Sequence, residues 1–77
     1  MQAFILIQTE VGKAASIASE ILEIPGVRTS EDVVGPYDVV VRVCADEIPP
    51  VVQEIRRVPG VTRTLTCDIP EKSASKN

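Results

Sequence analysis

Apolar positions fall along this chain in two rhythms, one of strands and one of helices. Ala3 to Ile7 is an uninterrupted apolar run ahead of the polar Gln8-Thr9-Glu10, the mark of a strand buried on both faces. After the loop Glu10-Val11-Gly12, the stretch Lys13 to Glu23 carries Ala14, Ile17, Ala18, Ile21 and Leu22 on one face of a helix. Ile24-Pro25-Gly26 ends that helix, because the residue before Pro resists the α region and Gly accepts a positive φ at the exit. Val27 to Val34 alternates imperfectly and is the most polar strand candidate, which suits a sheet edge.

The second half repeats the plan. After a turn at Gly35-Pro36, Tyr37 to Ala45 reads as a strand with Tyr37, Val39, Val41 and Val43 on one face and Asp38, Val40, Arg42 and Cys44 on the other. Asp46 is the expected N-cap of a second helix whose first turn holds Pro49 and Pro50. Ile48, Val51, Val52, Ile55 and Val58 give its apolar stripe, Glu54 and Arg57 form a surface pair, and Val58-Pro59-Gly60 stops it. In Val61 to Ile69, Val61, Arg63, Leu65, Cys67 and Ile69 share one face, and Thr62, Thr64, Thr66 and Asp68 the other. Residues 1–69 are therefore expected to form one domain and 70–77 a disordered polar tail.

The order β-α-β-β-α-β predicts an α+β, ferredoxin-like fold: a four-stranded antiparallel sheet with two helices on one face and the first and third strands central. Helices on one face leave the other bare. Yet Phe4 and Leu6 are apolar on one side of the first strand while Ala3, Ile5 and Ile7 are apolar on the other. Such a face predicts dimerisation through the sheet.

Composition narrows the picture. Seventy-seven residues make one small domain whose core is marginal alone, which also favours self-association. The net charge of −3, with acids and bases interspersed, argues against direct nucleic-acid binding. No stretch approaches a membrane span and no signal peptide is visible, so a cytoplasmic location is expected. Cys44 and Cys67 lie in strand-like runs without C-x-x-C spacing, which reads as a reduced pair in the core. With no His and no Gly-rich phosphate loop, neither a catalytic centre nor a metal or cofactor site is expected.

One segment carries candidate chemistry. At Gly35-Pro36-Tyr37-Asp38, a glycine could admit a ligand to the backbone, Asp38 could hold an ammonium group and Tyr37 could wall an apolar side chain. The same residues also read as a plain turn, with Asp38 as a local brace and Tyr37 as packing. The hydroxyls of Thr62, Thr64 and Thr66 likewise suit either a contact surface or ordinary β-propensity.

Taken in order, Phe4-Ile5-Leu6-Ile7, Glu10-Val11-Gly12-Lys13, Ile24-Pro25-Gly26-Val27, Val34-Gly35-Pro36-Tyr37-Asp38-Val39 and Val58-Pro59-Gly60-Val61-Thr62-Arg63-Thr64-Leu65-Thr66 resemble the effector-binding (RAM) domain of Lrp/AsnC transcriptional regulators. The resemblance runs from about residue 2 to 69. It implies sheet-to-sheet dimers that build rings, commonly octamers, with a free amino acid bound between dimers near the Gly35-Pro36-Tyr37-Asp38 turn and, next, Thr64 and Thr66. Relatives carry a helix-turn-helix domain ahead of this one, whereas this sequence opens at the first strand. The resemblance thus implies a stand-alone module in transcriptional or metabolic control, able to co-assemble with full-length relatives. A small dimeric α/β-barrel enzyme with a pocket at Arg42 and Asp38, and a purely structural oligomerisation domain, are the competing expectations.

Overall fold

The computed structural model describes residues 1–70; the tail expected to be disordered lies outside them apart from Pro70. The elements are β1 (Gln2–Thr9), α1 (Ala14–Ile21), β2 (Val27–Asp32), β3 (Val39–Cys44), α2 (Ile48–Arg56) and β4 (Val61–Ile69). The strands form one antiparallel sheet in the order β2-β3-β1-β4, the ferredoxin-like arrangement.

Register explains which side of the sheet meets the helices. Ala3, Ile5 and Ile7 of β1 sit opposite Val43, Val41 and Val39 of β3. All six are fully buried, against Ile17, Ala18 and Ile21 of α1, Ile48, Val51 and Ile55 of α2, and Val58 just beyond it. Each buried Ile or Val contributes about 1.5–3 kcal/mol of apolar transfer.

Both helix exits follow the expected chemistry. Gly26 and Gly60 have φ of 96° and 98°, where a Cβ would strain the backbone. At Gly60 a Cβ would also come within 2.7 Å of Ile17 Cδ1. The start of α2 differs from expectation. Glu47, not Asp46, takes the N-cap position, and it makes no side-chain capping bond. The reason is chemical: an N-cap side chain accepts from the N–H of the second or third helical residue, and here those are Pro49 and Pro50.

Three other details depart from the sequence pattern. β2 stops at Asp32, and Val33 and Val34 are exposed in the connection to β3. Val61 packs against the core instead of sharing the face of Leu65, because a register irregularity between Gln8 and Thr9 interrupts the alternation at the start of β4. Cys44 and Cys67 are free, as expected, but not in the core. Their register partners Gln2 and Phe4 place them on the side away from the helices, with Cys67 exposed.

Candidate functional site

The turn before β3 is tied to the end of β1. The Asp38 N–H donates to Ile7 O at 2.8 Å, and Asp38 Oδ2 accepts from the Thr9 N–H at 2.8 Å. The Val33 N–H donates to Asp38 O at 2.9 Å, and Gln8 Nε2 donates to Pro36 O at 3.1 Å. Asp38 is thus a brace, but a long-range one, since its partner belongs to another strand. On the far side of β1, Thr62 Oγ1 donates to Gln8 O at 3.1 Å. Thr62 was read from sequence only as one of a row of strand hydroxyls, and Gln8 and Thr9 were not singled out. Their only signal was that Gln8 and Thr9 are polar residues placed directly after an apolar strand.

Within this frame Gly35 and Pro36 are exposed, while Tyr37 and Asp38 are half-buried. Gly35 has no positive φ, and a Cβ there would meet no atom within 4 Å. Nothing within one chain requires a glycine at this position.

The two threonines separate. Thr64 sits opposite Ile7, which in turn faces Val39, so it occupies the row that ends at the turn, two strands away. Thr66 sits opposite Ile5, two residues further from the turn. It lines a groove between α2 and β4 instead, together with Met1, Ile48, Val52, Arg56 and Asp68. One chain therefore gathers Gly35, Pro36, Tyr37 and Asp38 at one end of the sheet, with Thr64 on the same row and Thr66 outside it.

The side of the sheet without helices is apolar in its middle. Phe4 is 37% and Leu65 46% exposed, with Leu6 and Val40 half-buried between them. Arg42 crosses this face, donating through its Nε to Gln2 Oε1 at 3.2 Å and lying 5.4 Å from the centre of the Phe4 ring. That cation–π contact and hydrogen bond hold a charged group flat over apolar surface. The cleft that Arg42 lines is shared with Gln2, Arg28 and Cys44, and Asp38 is not among its lining residues. Among the described residues, no group of three or more His, Cys, Asp or Glu is placed to hold a metal ion, and no helix is long and apolar enough to cross a membrane.

These elements make a ferredoxin-like α+β domain with a braced turn at one end of its sheet and a bare apolar face. The sequence model of the Lrp/AsnC ligand-binding domain matches residues 2–69; the chain belongs to that family. Among solved structures, it is similar to the hypothetical protein PHS023 from Pyrococcus horikoshii at 31% identity, covering 99% of this chain and 98% of that one with a TM-score of 0.77. It is also similar to TTHA0845 from Thermus thermophilus at 31% identity, covering 91% of this chain and 98% of that one, TM-score 0.77. E. coli AsnC shares the fold at 16% identity and a TM-score of 0.77; the match covers 99% of this chain but 54% of AsnC. A search of curated proteins finds no match.

Proposed function

We propose that this domain, spanning residues 1–69, is an amino-acid-responsive regulatory module that works as an oligomer. Two copies pack through the bare faces of their sheets, burying Phe4, Leu6, Val40 and Leu65, and pairs assemble further into a ring. A free amino acid binds where pairs meet, at the rim formed by Gly35, Pro36, Tyr37 and Asp38, with Thr64 on the same row. Thr66 joins that rim only from a neighbouring copy. The module acts in transcriptional or metabolic control without gripping DNA through this domain, either alone or in mixed assemblies with longer relatives.

The observation that carries the reading is the bare apolar face, whose central residues have neighbours on the sheet but no layer above them among the described residues. Two features of the turn fit a site completed by another copy. Gly35 has open space around it, which leaves room for a close approach from another copy. Asp38 uses Oδ2 on Thr9, and its second carboxylate oxygen can meet a ligand's ammonium group.

A thermal-shift screen against the twenty amino acids, paired with light scattering, tests both parts. A ligand present at 100 times its Kd stabilises by about 2.7 kcal/mol, a readily measured rise. A monodisperse monomer at micromolar concentration would overturn the oligomer. A flat amino-acid panel on an intact oligomer would leave a structural assembly domain instead.

A further inference from the structure

The pairing of β2 with β3 sets two arginines against each other. Val27 meets Val43 and Thr29 meets Arg42, so Arg28 is an extra residue in β2. In such a bulge two residues of one strand oppose one of the other, and a side chain is re-aimed. Here Arg28 and Thr29 both oppose Arg42. The two guanidinium groups line one cleft of about 390 Å³ on the open side of the sheet, together with Gln2 and Cys44. That volume is within the range of small-molecule sites.

Like charges directly opposite on neighbouring strands destabilise a sheet, and no acid offsets this pair. Among the described residues the ion pairs are Lys13 with Glu10 and Arg57 with Glu54, which leaves Arg28 and Arg42 without a carboxylate partner. Glu31 lies further along β2, opposite Val40, and Asp46 lies beyond the end of β3; neither lines the cleft. The Met1 ammonium donates to Ala45 O at 2.8 Å at the same end of the sheet, so it adds to the positive sign. A chain with a net charge of −3 thus gathers positive charge, and no negative, in this cleft.

The donors are partly arranged already. Arg42 lies over the Phe4 ring and donates through Nε to Gln2 Oε1 at 3.2 Å, with its Nη2 on the same oxygen. Among the described residues, the Arg42 Nη1, the Arg28 guanidinium and the Gln2 amide nitrogen have no acceptor. That set selects the ligand. A carboxylate brings one charge and two oxygens, and leaves one guanidinium uncompensated. A phosphomonoester carries about −1.5 to −2 of charge at neutral pH and three acceptor oxygens, which suits two guanidinium forks and an amide. We infer that the Arg28/Arg42 cleft binds a phosphate group, as free phosphate or as the phosphate of a small ester. Arg28 and Arg42 hold its oxygens, and the Gln2 amide nitrogen is a third donor. The site is built from one chain and is separate from the amino-acid rim. It lies on the face proposed above to meet a second copy, so binding is measured at protein concentrations that favour and disfavour association.

Titrating the full chain with inorganic phosphate and with glycerol 3-phosphate, at neutral pH and an ionic strength fixed with sodium chloride, tests the inference through backbone amide resonances. Saturable shifts are expected at Gln2, Val27 to Thr29 and Arg42 to Cys44, at one protein concentration or both. Arg28→Gln, at an exposed position, and Arg42→Gln should each weaken binding tenfold or more. Arg63→Gln, outside the cleft, should leave it unchanged. Succinate, with a similar charge carried on carboxylates, should bind at least tenfold more weakly. A response to either ligand supports the site, and the stronger of the two tells free phosphate from its esters. The inference is overturned if the cleft amides do not respond at either protein concentration, or drift without saturating. It is equally overturned if Arg63→Gln costs as much as Arg28→Gln, or if succinate binds as tightly. Light scattering on the same samples reports on the oligomer independently. A monomer that binds phosphate removes the assembly reading and keeps this site, and an oligomer that ignores phosphate does the reverse.

Discussion

On the helix side of the sheet, Ala3, Ile5, Ile7, Val39, Val41 and Val43 are fully buried; one position along the same strands, Phe4, Leu6 and Val40 remain partly open. The two sets are alike in chemistry and differ only in parity. What separates them is supply: the chain has two helices, and both pack on one side. The hydrophobic energy of the first set is realised within the chain, whereas that of the second is available only to association. Arg42 and Gln2 lie on the open side and, among the described residues, no charged group is buried on the other, consistent with a surface that must remain compatible with water until it is covered.

The sharpest way to break this contrast is to truncate one residue from each side. Ile5→Ala should lower stability by about 2–5 kcal/mol through lost transfer energy and a residual cavity, read from urea unfolding. A loss below about 1 kcal/mol would mean that the covered face is not a tightly packed core. Leu65→Asp on the open face should leave unfolding of the dissociated chain within about 0.5 kcal/mol of the parent. It should weaken self-association at least tenfold by sedimentation. Association at parental strength would remove this face as the interface.

Most of the fold was legible because strong local signals agreed. The apolar run of β1, the three-and-four spacing of α1 and α2, and two Pro-Gly exits fix six elements and their order. What misled were positions whose side is set by a partner strand. Val61 follows the alternation of β4 on paper, but the irregularity opposite Gln8 and Thr9 turns it to the core. Cys44 and Cys67 look apolar and internal, yet parity sends them to the uncovered face. Ser30 gave no sequence signal, because its use is tertiary: its hydroxyl donates to Ala18 O at 2.7 Å, linking β2 to α1. Of the candidate site, the turn was visible as a Gly-Pro break before an acid. Its attachment to Thr9 was not, since that bond joins residues 29 positions apart.

A second contrast sets two glycines against each other. Gly60→Ala places a Cβ at φ 98° and within 2.7 Å of Ile17 Cδ1, and should lower stability by about 1–3 kcal/mol. Gly35→Ala, at a position with open space around it, should change stability by less than about 0.5 kcal/mol. If the rim lies between copies, Gly35→Ala should nevertheless reduce the thermal response to an amino acid or disturb assembly. A variant equal to the parent in stability, assembly and amino-acid response would make Gly35 a plain turn residue.

A last pair of substitutions separates the two roles of Asp38. Removing the carboxylate in Asp38→Ala leaves the Thr9 N–H without its acceptor, which should lower stability by about 1–2 kcal/mol for a partly buried, charge-assisted bond. Asp38→Asn keeps a side-chain oxygen in the same place and should recover most of that loss in the same thermal measurement. It does not keep the charge. If Asp38 serves only as a brace, Asp38→Asn should keep the parent's response to amino acids; if its second oxygen also meets an ammonium group, the variant should fold normally and lose that response. Stability thus reports on the bond to Thr9 and ligand response on the charge, so the pair of substitutions assigns each role to its own measurement.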